Sequence, residues 1–461
     1  MTVLEKFKPI FYPKSVMVVG ASKDPNKMGY YCVKSLKDAK FKGKIYPINP
    51  YAQKILGFKV YPSIKALPEN VDLAVIVIPA KAVPSTLEEC TQKQVKGAVI
   101  ISGGFKEIGR EEGLKLQEET VNIANKYGIK IIGPNTFGMV NLHANLNASF
   151  TPIFSKLKKG NVALISQSGG MCHIISYHGM EEGIGFSKIV GVGNRCNVEF
   201  ADLIEYFGED PETKVIAMYI EGVDDARRMV EAAKKVVGKK PIVAYKVGRE
   251  GSGKAVYSHT GSLAGKHEIY KAAFKQAGII MVNSCIELLD TVKALALQEP
   301  PNNGRFAVVS KEAGPAITMI DVCTDGGLTL AKFTNETNEK LKKLLPPFTI
   351  RTNPVDVAFA SLNIEAYKEA VRLVLADENV DALLFFCLYH PGIKLPVEDF
   401  AKAKNKFKKC MVSCVITPKN MWIQVKRKME QMGIPVFPSP ERAAKTLVNL
   451  TFYGKIRKMF S

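Results

Sequence analysis

The stretch SVMVVGASKDPNKMG, residues 15–29, decides how the chain is read. Five consecutive apolar or small residues run into a glycine and a small polar turn, and an amphipathic segment follows. So short and unbroken an apolar run suits a strand buried on both faces. The cadence recurs in GKIYPIN, DLAVIVIP, GAVIISGG and IKIIGPN, each ending in Gly, Pro, Asn or Ser, with longer amphipathic segments between them. This alternation predicts a doubly wound parallel sheet over residues 1–150.

A second series follows: GNVALISQSGG, GFSKIVGVGN, KVIAMYIEG and KPIVAYKVG, closed by the helix-like IELLDTVKALALQ. It spans residues 151–300 and ends at EPPNNG, Glu299 to Gly304, a turn-rich break. The third series, residues 301–461, holds RFAVVS, ALLFFCLYHP, CMVSCVITP and a closing helix-like ERAAKTLVNLTFYGKIRKMF. The expected fold is therefore α/β, with three doubly wound parallel-sheet domains. A chain of 461 residues is too long for a single core.

A composition of 46% hydrophobic and 23% charged residues is that of a globular protein. The N-terminus lacks the pattern of an export signal and no apolar run approaches membrane-spanning length, so a cytoplasmic location away from the membrane is expected. Nine cysteines without C-x-x-C or metal-type spacing read as reduced core residues, Cys410 and Cys414 on a strand included. The net charge of +20 is spread over lysine-rich faces such as KNKFKK and also favours anions such as nucleotides or coenzyme A. Nucleic acid is not expected, because no nucleic-acid motif accompanies the charge.

Parallel sheets bind ligands at the carboxyl ends of their strands. The first such end runs Gly20, Ala21, Ser22, Lys23, Asp24, Pro25 and then Gly29, which resembles a nucleotide-binding turn without being G-x-G-x-x-G. Asn49 ends the second strand where an NAD enzyme carries an acid for the ribose hydroxyls. Coenzyme A fits this better than NAD. Close packing of strand on helix is a second reading of these glycines. Residues 248–255, GREGSGKA, fit the spacing of a P-loop but place Ala255 where a hydroxyl would ligate magnesium, and no long helix follows. They read as a flexible approach to His259. Ser168, Gly169 and Gly170 follow the strand NVALI and open a helix, a free set of N–H groups suited to an anion, with Ser168 also a ready N-cap.

Of six histidines, His259 lies in YSHTGSLAG, where small residues leave nothing apolar to hold it. A neutral imidazole can take a phosphoryl group if a carboxylate on its other ring nitrogen fixes the tautomer and steadies the developing positive charge. Glu221, in MYIEGV at a strand end, is the candidate. His173 neighbours the anion site, but with His178 five residues on it is poorly placed to share a metal. His143 falls in a connecting loop, and His267 and His390 have no suggestive surroundings. A metal site on this chain is not expected.

SHTGSLAG, the strand-ending IEG, ISQSGG, IGPN and the opening VGAS, in this order and spacing, resemble the alpha subunit of ADP-forming acyl-CoA synthetases, a family that widens to include succinyl-CoA synthetase. NPVD at residues 353–356 and GIPVFPSPERAAKTL resemble that subunit's third domain. The resemblance implies a Rossmann-like CoA-binding domain followed by two flavodoxin-like domains. It implies that acyl-CoA and inorganic phosphate give an acyl phosphate, whose phosphoryl group passes to His259 and then to ADP. In that scheme Glu221 stabilises the phosphohistidine and Ser168, Gly169 and Gly170 hold its phosphate. Gly20, Ser22, Lys23, Pro25, Asn49, Pro79, Ser102, Gly103 and Asn135 surround coenzyme A. No stretch looks like an ATP-grasp domain, so ADP or ATP with Mg2+ is expected on a partner, a beta subunit in an α2β2 heterotetramer. The chain departs from its relatives at Thr136, where succinyl-CoA synthetase has cysteine, at Asn197, where aspartate is frequent, and at Ser310–Pro315, SKEAGP in place of a glycine-richer turn. The competing reading is a non-catalytic CoA-binding sensor module. A fused protein acyltransferase would need an acetyltransferase domain, and a nicotinamide dehydrogenase is disfavoured by Asn49.

Overall fold

The computed structural model describes residues 2–248, 267–358, 362–418 and 421–460. The chain divides into two compact units, Met1–Cys285 and Ile286–Ser461.

The first unit contains two large sheets. Strands β1 (Ser15–Val19) and β2 (Lys44–Ile48) are followed by a small separate hairpin, β3 (Lys54–Ile55) and β4 (Phe58–Lys59), and then by β5 (Leu73–Ile76), β6 (Gly97–Ile100) and β7 (Lys130–Ile132). The first sheet is parallel throughout, in the order β2-β1-β5-β6-β7. Its central strands are covered on both faces, with Val16, Met17 and Val18 and all of Leu73–Ile76 fully buried. The strand order reverses between β1 and β5, so the crevice at their carboxyl ends is the place for a ligand. Gly20 there has φ +88, and a Cβ on Gly29 would run into the Gly20 carbonyl. Gly29 is thus demanded by packing of the helix Met28–Asp38 on the strand end, and Gly20 by its positive φ and the Val77 carbonyl behind it.

The second sheet is built from β8 (Gly138–Asn141), β9 (Leu146–Ser149), β10 (Lys159–Ser166), β11 (Phe186–Gly191), β12 (Val215–Ile220), β13 (Ile242–Lys246) and β14 (Ile280–Val282). Its order is β14-β13-β12-β10-β11-β8-β9, parallel except for the antiparallel edge made by β8 and β9. The hairpin Gly138–Ser149 precedes the boundary expected at residue 150, yet it pairs with the second sheet. The hairpin reads as loop because Asn141, Asn147 and Ser149 are polar, yet all three are fully buried. Side-chain bonds satisfy them: Asn141 Nδ2 donates to the Phe11 carbonyl (2.8 Å) and Asn147 Nδ2 to that of Thr151 (3.0 Å).

A buried charge cluster braces the same edge. Lys188 on β11 is completely buried, with Nζ 2.8 Å from Asp210 and 2.9 Å from Glu212. Tyr12 donates to Glu212 (2.5 Å), and His143 Nδ1 lies 3.3 Å from the other Glu212 oxygen. Burial works against the ammonium, but the two carboxylates outweigh it and hold the Lys188 pKa above its ordinary value.

The second unit holds β15 (Arg305–Ser310), β16 (Thr329–Leu330), β17 (Val355–Asp356), β18 (Ala382–Leu388), β19 (Cys410–Ile416) and β20 (Val436–Phe437). They form a parallel sheet in the order β16-β15-β18-β19-β20, with β17 beside β15. The helix Cys285–Leu297, placed by the sequence with the second series, belongs to this unit from Ile286 onward. Arg442 pairs with Asp290 (2.6 Å), Lys293 pairs with Glu430, and Gln298 exchanges two hydrogen bonds with the Met411 backbone (3.1 Å each). An amphipathic pattern gives a helix its apolar face but not the sheet that face will cover.

The nine cysteines are free and seven are buried, with burial pushing the thiols of Cys410 and Cys414 up to about 12. Among the described residues no helix is long and apolar enough to cross a membrane.

Candidate active site

Strand ends of the first two sheets border one cleft of about 710 Å³. Ser102 and Gly103 enter it after β6, Asn135 after β7, and Gln167, Ser168, Gly169 and Gly170 after β10. Sequence reading assigned the first three to coenzyme A and the last three to phosphate; the fold gathers all six on one wall-to-wall opening. Gly20, Ser22, Lys23, Pro25, Asn49 and Pro79 sit on the same carboxyl edge of the first sheet, outside the residues that line the cleft.

The loops on the first-sheet side are held by side chains. The Ser102 hydroxyl donates to the Ile78 carbonyl, and the Asn135 N–H donates to the Ser102 carbonyl (2.9 Å). Asn194 Nδ2 donates to Glu107 (2.5 Å), whose other oxygen accepts the Gly104 N–H (2.6 Å). Asn49 Nδ2 donates to the Ala21 carbonyl (2.8 Å). An aspartate at that position would set a carboxylate oxygen against a carbonyl, so the asparagine serves the shape of the first turn.

On the other side, Ser168 caps the helix Gly169–Glu181, its Oγ accepting the Met171 N–H (3.3 Å). A Cβ on Gly169 or Gly170 would meet nothing closer than 3.9 Å. Packing therefore does not require glycine at either position, in contrast to Gly20. What these two glycines keep open is the approach to the helix N-terminus, where free N–H groups and the helix dipole favour an anion. His173, one turn on, donates from Nδ1 to the Gly169 carbonyl (2.7 Å) and accepts at Nε2 from the Thr151 hydroxyl (2.8 Å). Phe154 and Phe137 pack on its ring at 5.0 and 5.6 Å.

Glu221 follows β12 and is buried. Gln167 Oε1 accepts the N–H groups of Glu221 (2.9 Å) and Gly222 (3.0 Å), which ties the carboxylate's loop to a residue of the cleft wall. Sequence reasoning passed over Gln167; a glutamine between two strand-end serines was the available signal. Tyr219 and Lys246 flank the same carboxylate. Burial, and then the Glu221 charge, push the Tyr219 hydroxyl well above its ordinary pKa. Burial pulls Lys246 down to about 8, with Glu221 opposing it.

His259 and its SHTGSLAG segment lie outside the described residues, as does the GREGSGKA loop from residue 249 onward. Among the described residues no group of three or more His, Cys, Asp or Glu side chains could hold a metal ion. Asn197 and Thr136, singled out by the sequence, each have local partners. Asn197 Oδ1 accepts the Ile131 N–H (2.8 Å) while its Nδ2 donates to the Ile129 carbonyl (2.9 Å), a double role that aspartate cannot fill. Thr136 is buried, donating to the Gly191 carbonyl (2.6 Å) and accepting the Gly138 N–H (3.1 Å).

Residues 14–141 match the CoA binding domain family, 159–295 the succinyl-CoA ligase like flavodoxin domain and 307–418 the ligase-CoA domain. Fold and site thus define a chain of the succinyl-CoA ligase class. It is 43% identical over 96% of its length to the alpha subunit of acetate–CoA ligase [ADP-forming] II of Pyrococcus furiosus, covering 97% of that subunit. Against acetate–CoA ligase [ADP-forming] I of Archaeoglobus fulgidus it is 41% identical over 97% of its length, but spans 64% of that longer protein. Among solved structures, an acetyl-coenzyme A synthetase of Ca. Korarchaeum cryptofilum in complex with phosphate and ADP matches with a TM-score of 0.90. That match has 35% identity and covers 98% of this chain and 97% of the other. The chain belongs to the ADP-forming acetate–CoA ligase family.

Proposed function

We propose that the chain is the alpha subunit of an ADP-forming acyl-CoA synthetase, an acid–thiol ligase that works on acetyl-CoA or a related acyl-CoA in the cytoplasm. The observation that carries this reading is the single cleft bordered by Ser102, Gly103 and Asn135 on one side and by the Ser168–Gly170 helix start on the other. A thioester held on the first side presents its carbonyl to a phosphate held on the second. A phosphate oxygen attacks that carbonyl, the C–S bond breaks and coenzyme A leaves as the thiolate, giving an acyl phosphate. An imidazole nitrogen of His259 then attacks phosphorus and the carboxylate of the acid departs. Glu221 steadies the resulting cationic ring. Finally a terminal phosphate oxygen of ADP takes the phosphoryl group, giving ATP. Each step is reversible.

ADP, with Mg2+, is assigned to an ATP-grasp beta subunit in an α2β2 heterotetramer. One feature supports a separate partner: relatives matched over 97% of their length are called alpha subunits. The test is incubation with acetyl-CoA and radiolabelled phosphate, with the partner present, followed by digestion. Acid-labile label on His259 is expected, absent in His259→Ala. Coenzyme A binding with no label under any condition would favour the CoA-sensing module instead.

A further inference from the structure

Lys106 and Asp224 join two loops that border the proposed chemistry. Lys106 follows β6 on the loop that carries Ser102 and Gly103 into the cleft, and Asp224 stands three residues beyond Glu221 on the loop after β12. Asp224 Oδ2 lies 3.3 Å from Lys106 Nζ and 3.0 Å from Arg195 Nη2. The residues beside those two cations bond directly: Asn194 Nδ2 donates to Glu107 (2.5 Å), and Glu107 also accepts the N–H groups of Gly104 (2.6 Å) and Phe105 (3.2 Å). Two adjacent residues after β6 and two adjacent residues after β11 are thus closed into a ring, with Asp224 as the link between Lys106 and Arg195.

Every residue of the Glu221 loop has an anchor. Gln167 takes the N–H groups of Glu221 and Gly222, the Tyr270 hydroxyl takes that of Val223 (3.2 Å), and the two cations take the Asp224 carboxylate. Of these anchors, Lys106 alone comes from the first-sheet side of the cleft. An ordinary surface ion pair contributes little. This carboxylate is half-exposed, but it is shared by two cations whose side chains are 17% and 1% exposed, and the buried Arg195 guanidinium has Glu199 (3.2 Å) as its other counter-charge. Removing a partner from a buried cation is costly, so the link is firmer than its exposure suggests.

We propose that Asp224 is a positioning residue that couples thioester binding to phosphoryl transfer: coenzyme A seated against Ser102 and Gly103 steadies the loop of Lys106, and the Lys106–Asp224 bond passes that order to the loop of Glu221. The inference rests on the reading of the previous subsection. A ligand that immobilises one loop raises the cost of breaking the contacts that loop makes, and Glu107 bonds to Gly104 and Phe105 leave little slack between the cleft and Lys106. Glu221 is then held in place when a thioester is present to be cleaved.

The experiment measures hydrogen exchange at the backbone amides of residues 221–223 in the full chain, with and without saturating coenzyme A. It then follows initial labelling from acetyl-CoA and radiolabelled phosphate with the partner present. Wild type, Lys106→Met, Lys106→Arg and Asp224→Asn are compared. Coenzyme A is expected to slow exchange in the wild type by about fivefold or more, the lower end of ordinary coupling between sites. Lys106→Met and Asp224→Asn should still bind coenzyme A, which reports that they are folded, but without that slowing. Their labelling kcat should fall roughly tenfold while KM for acetyl-CoA holds. Lys106→Arg keeps the ion pair and should restore both properties. Should Asp224→Asn fail to fold, Lys106→Met decides. Exchange unaffected by coenzyme A in the wild type, slowing retained in Lys106→Met, or a loss confined to KM overturns the inference while leaving the phosphohistidine reading intact. A wild type that binds coenzyme A but takes up no label overturns both.

Discussion

Gln167 Oε1 accepts two consecutive backbone N–H groups, those of Glu221 at 2.9 Å and Gly222 at 3.0 Å, so a residue just ahead of the helix Gly169–Glu181 holds the carboxylate loop in place. Gln167→Ala strands both donors in a buried site, at about 1–3 kcal/mol each. Urea unfolding should register the loss. Gln167→Glu keeps an acceptor and most of the stability but adds negative charge beside the anion position. Its signature is a raised KM for phosphate with a nearly unchanged denaturation midpoint.

In the proposed mechanism Glu221→Gln removes the charge that would offset the imidazolium, and it leaves the backbone bonds to Gln167 untouched. A charged hydrogen bond contributes about 1.5–3 kcal/mol, so histidine labelling should fall roughly ten- to hundredfold. Isothermal titration with coenzyme A should give the wild-type affinity. Parallel loss of both functions would mean the variant is misfolded.

Gly20 and Gly169 look alike in sequence and should behave oppositely. Gly20→Ala forces a Cβ into the Val77 carbonyl at φ +88 and is expected to unfold the first unit or cost several kcal/mol. Gly169→Ala has room and exchanges glycine for a better helix former, a gain of up to about 1 kcal/mol. Its methyl group enters the cleft, so phosphate should bind more weakly to a more stable protein. Thermal melts and phosphate kinetics on the pair check both halves.

Lys188→Met leaves the buried Asp210 and the half-buried Glu212 without their cation, which costs about 3–5 kcal/mol at neutral pH, mostly at Asp210. The pH dependence has a defined sign. The Lys188 pKa is raised in the folded state, so its contribution is fully present below its ordinary value of 10.5 and is lost as pH climbs through the folded value. That of Glu212 is lowered: burial pushes it up, but bonds from Tyr12 and Lys188 outweigh this. Its contribution is present above its ordinary 4.5 and is lost as pH falls through the folded value. The stability gap between wild type and variant should therefore be widest near pH 7 and narrow on both sides, as urea titrations across pH will show.

Strands such as Ser15–Val19 and Leu73–Ile76 could be read directly because burial on both faces demands an unbroken apolar run. The hairpin of β8 and β9 could not, since its inward positions are asparagine and serine whose partners come from Phe11 and Thr151, far away or around a turn. Gly20 and Gly169 show the same limit at the site. One is required by a carbonyl behind it and the other by open space in front of it, and only the fold distinguishes the two. Gln167 escaped notice for a related reason: its function lies in two N–H groups more than fifty residues downstream.

The antiparallel hairpin that leaves the first sheet to border the second has a consequence for how such proteins can be cut and inherited. A fragment ending at residue 150 would export two strands from their rightful neighbour, and the remainder would be left with a bare sheet margin at β11. Recombination that joins or splits these enzymes is therefore expected to spare this seam and to treat residues 1–285 as one heritable block.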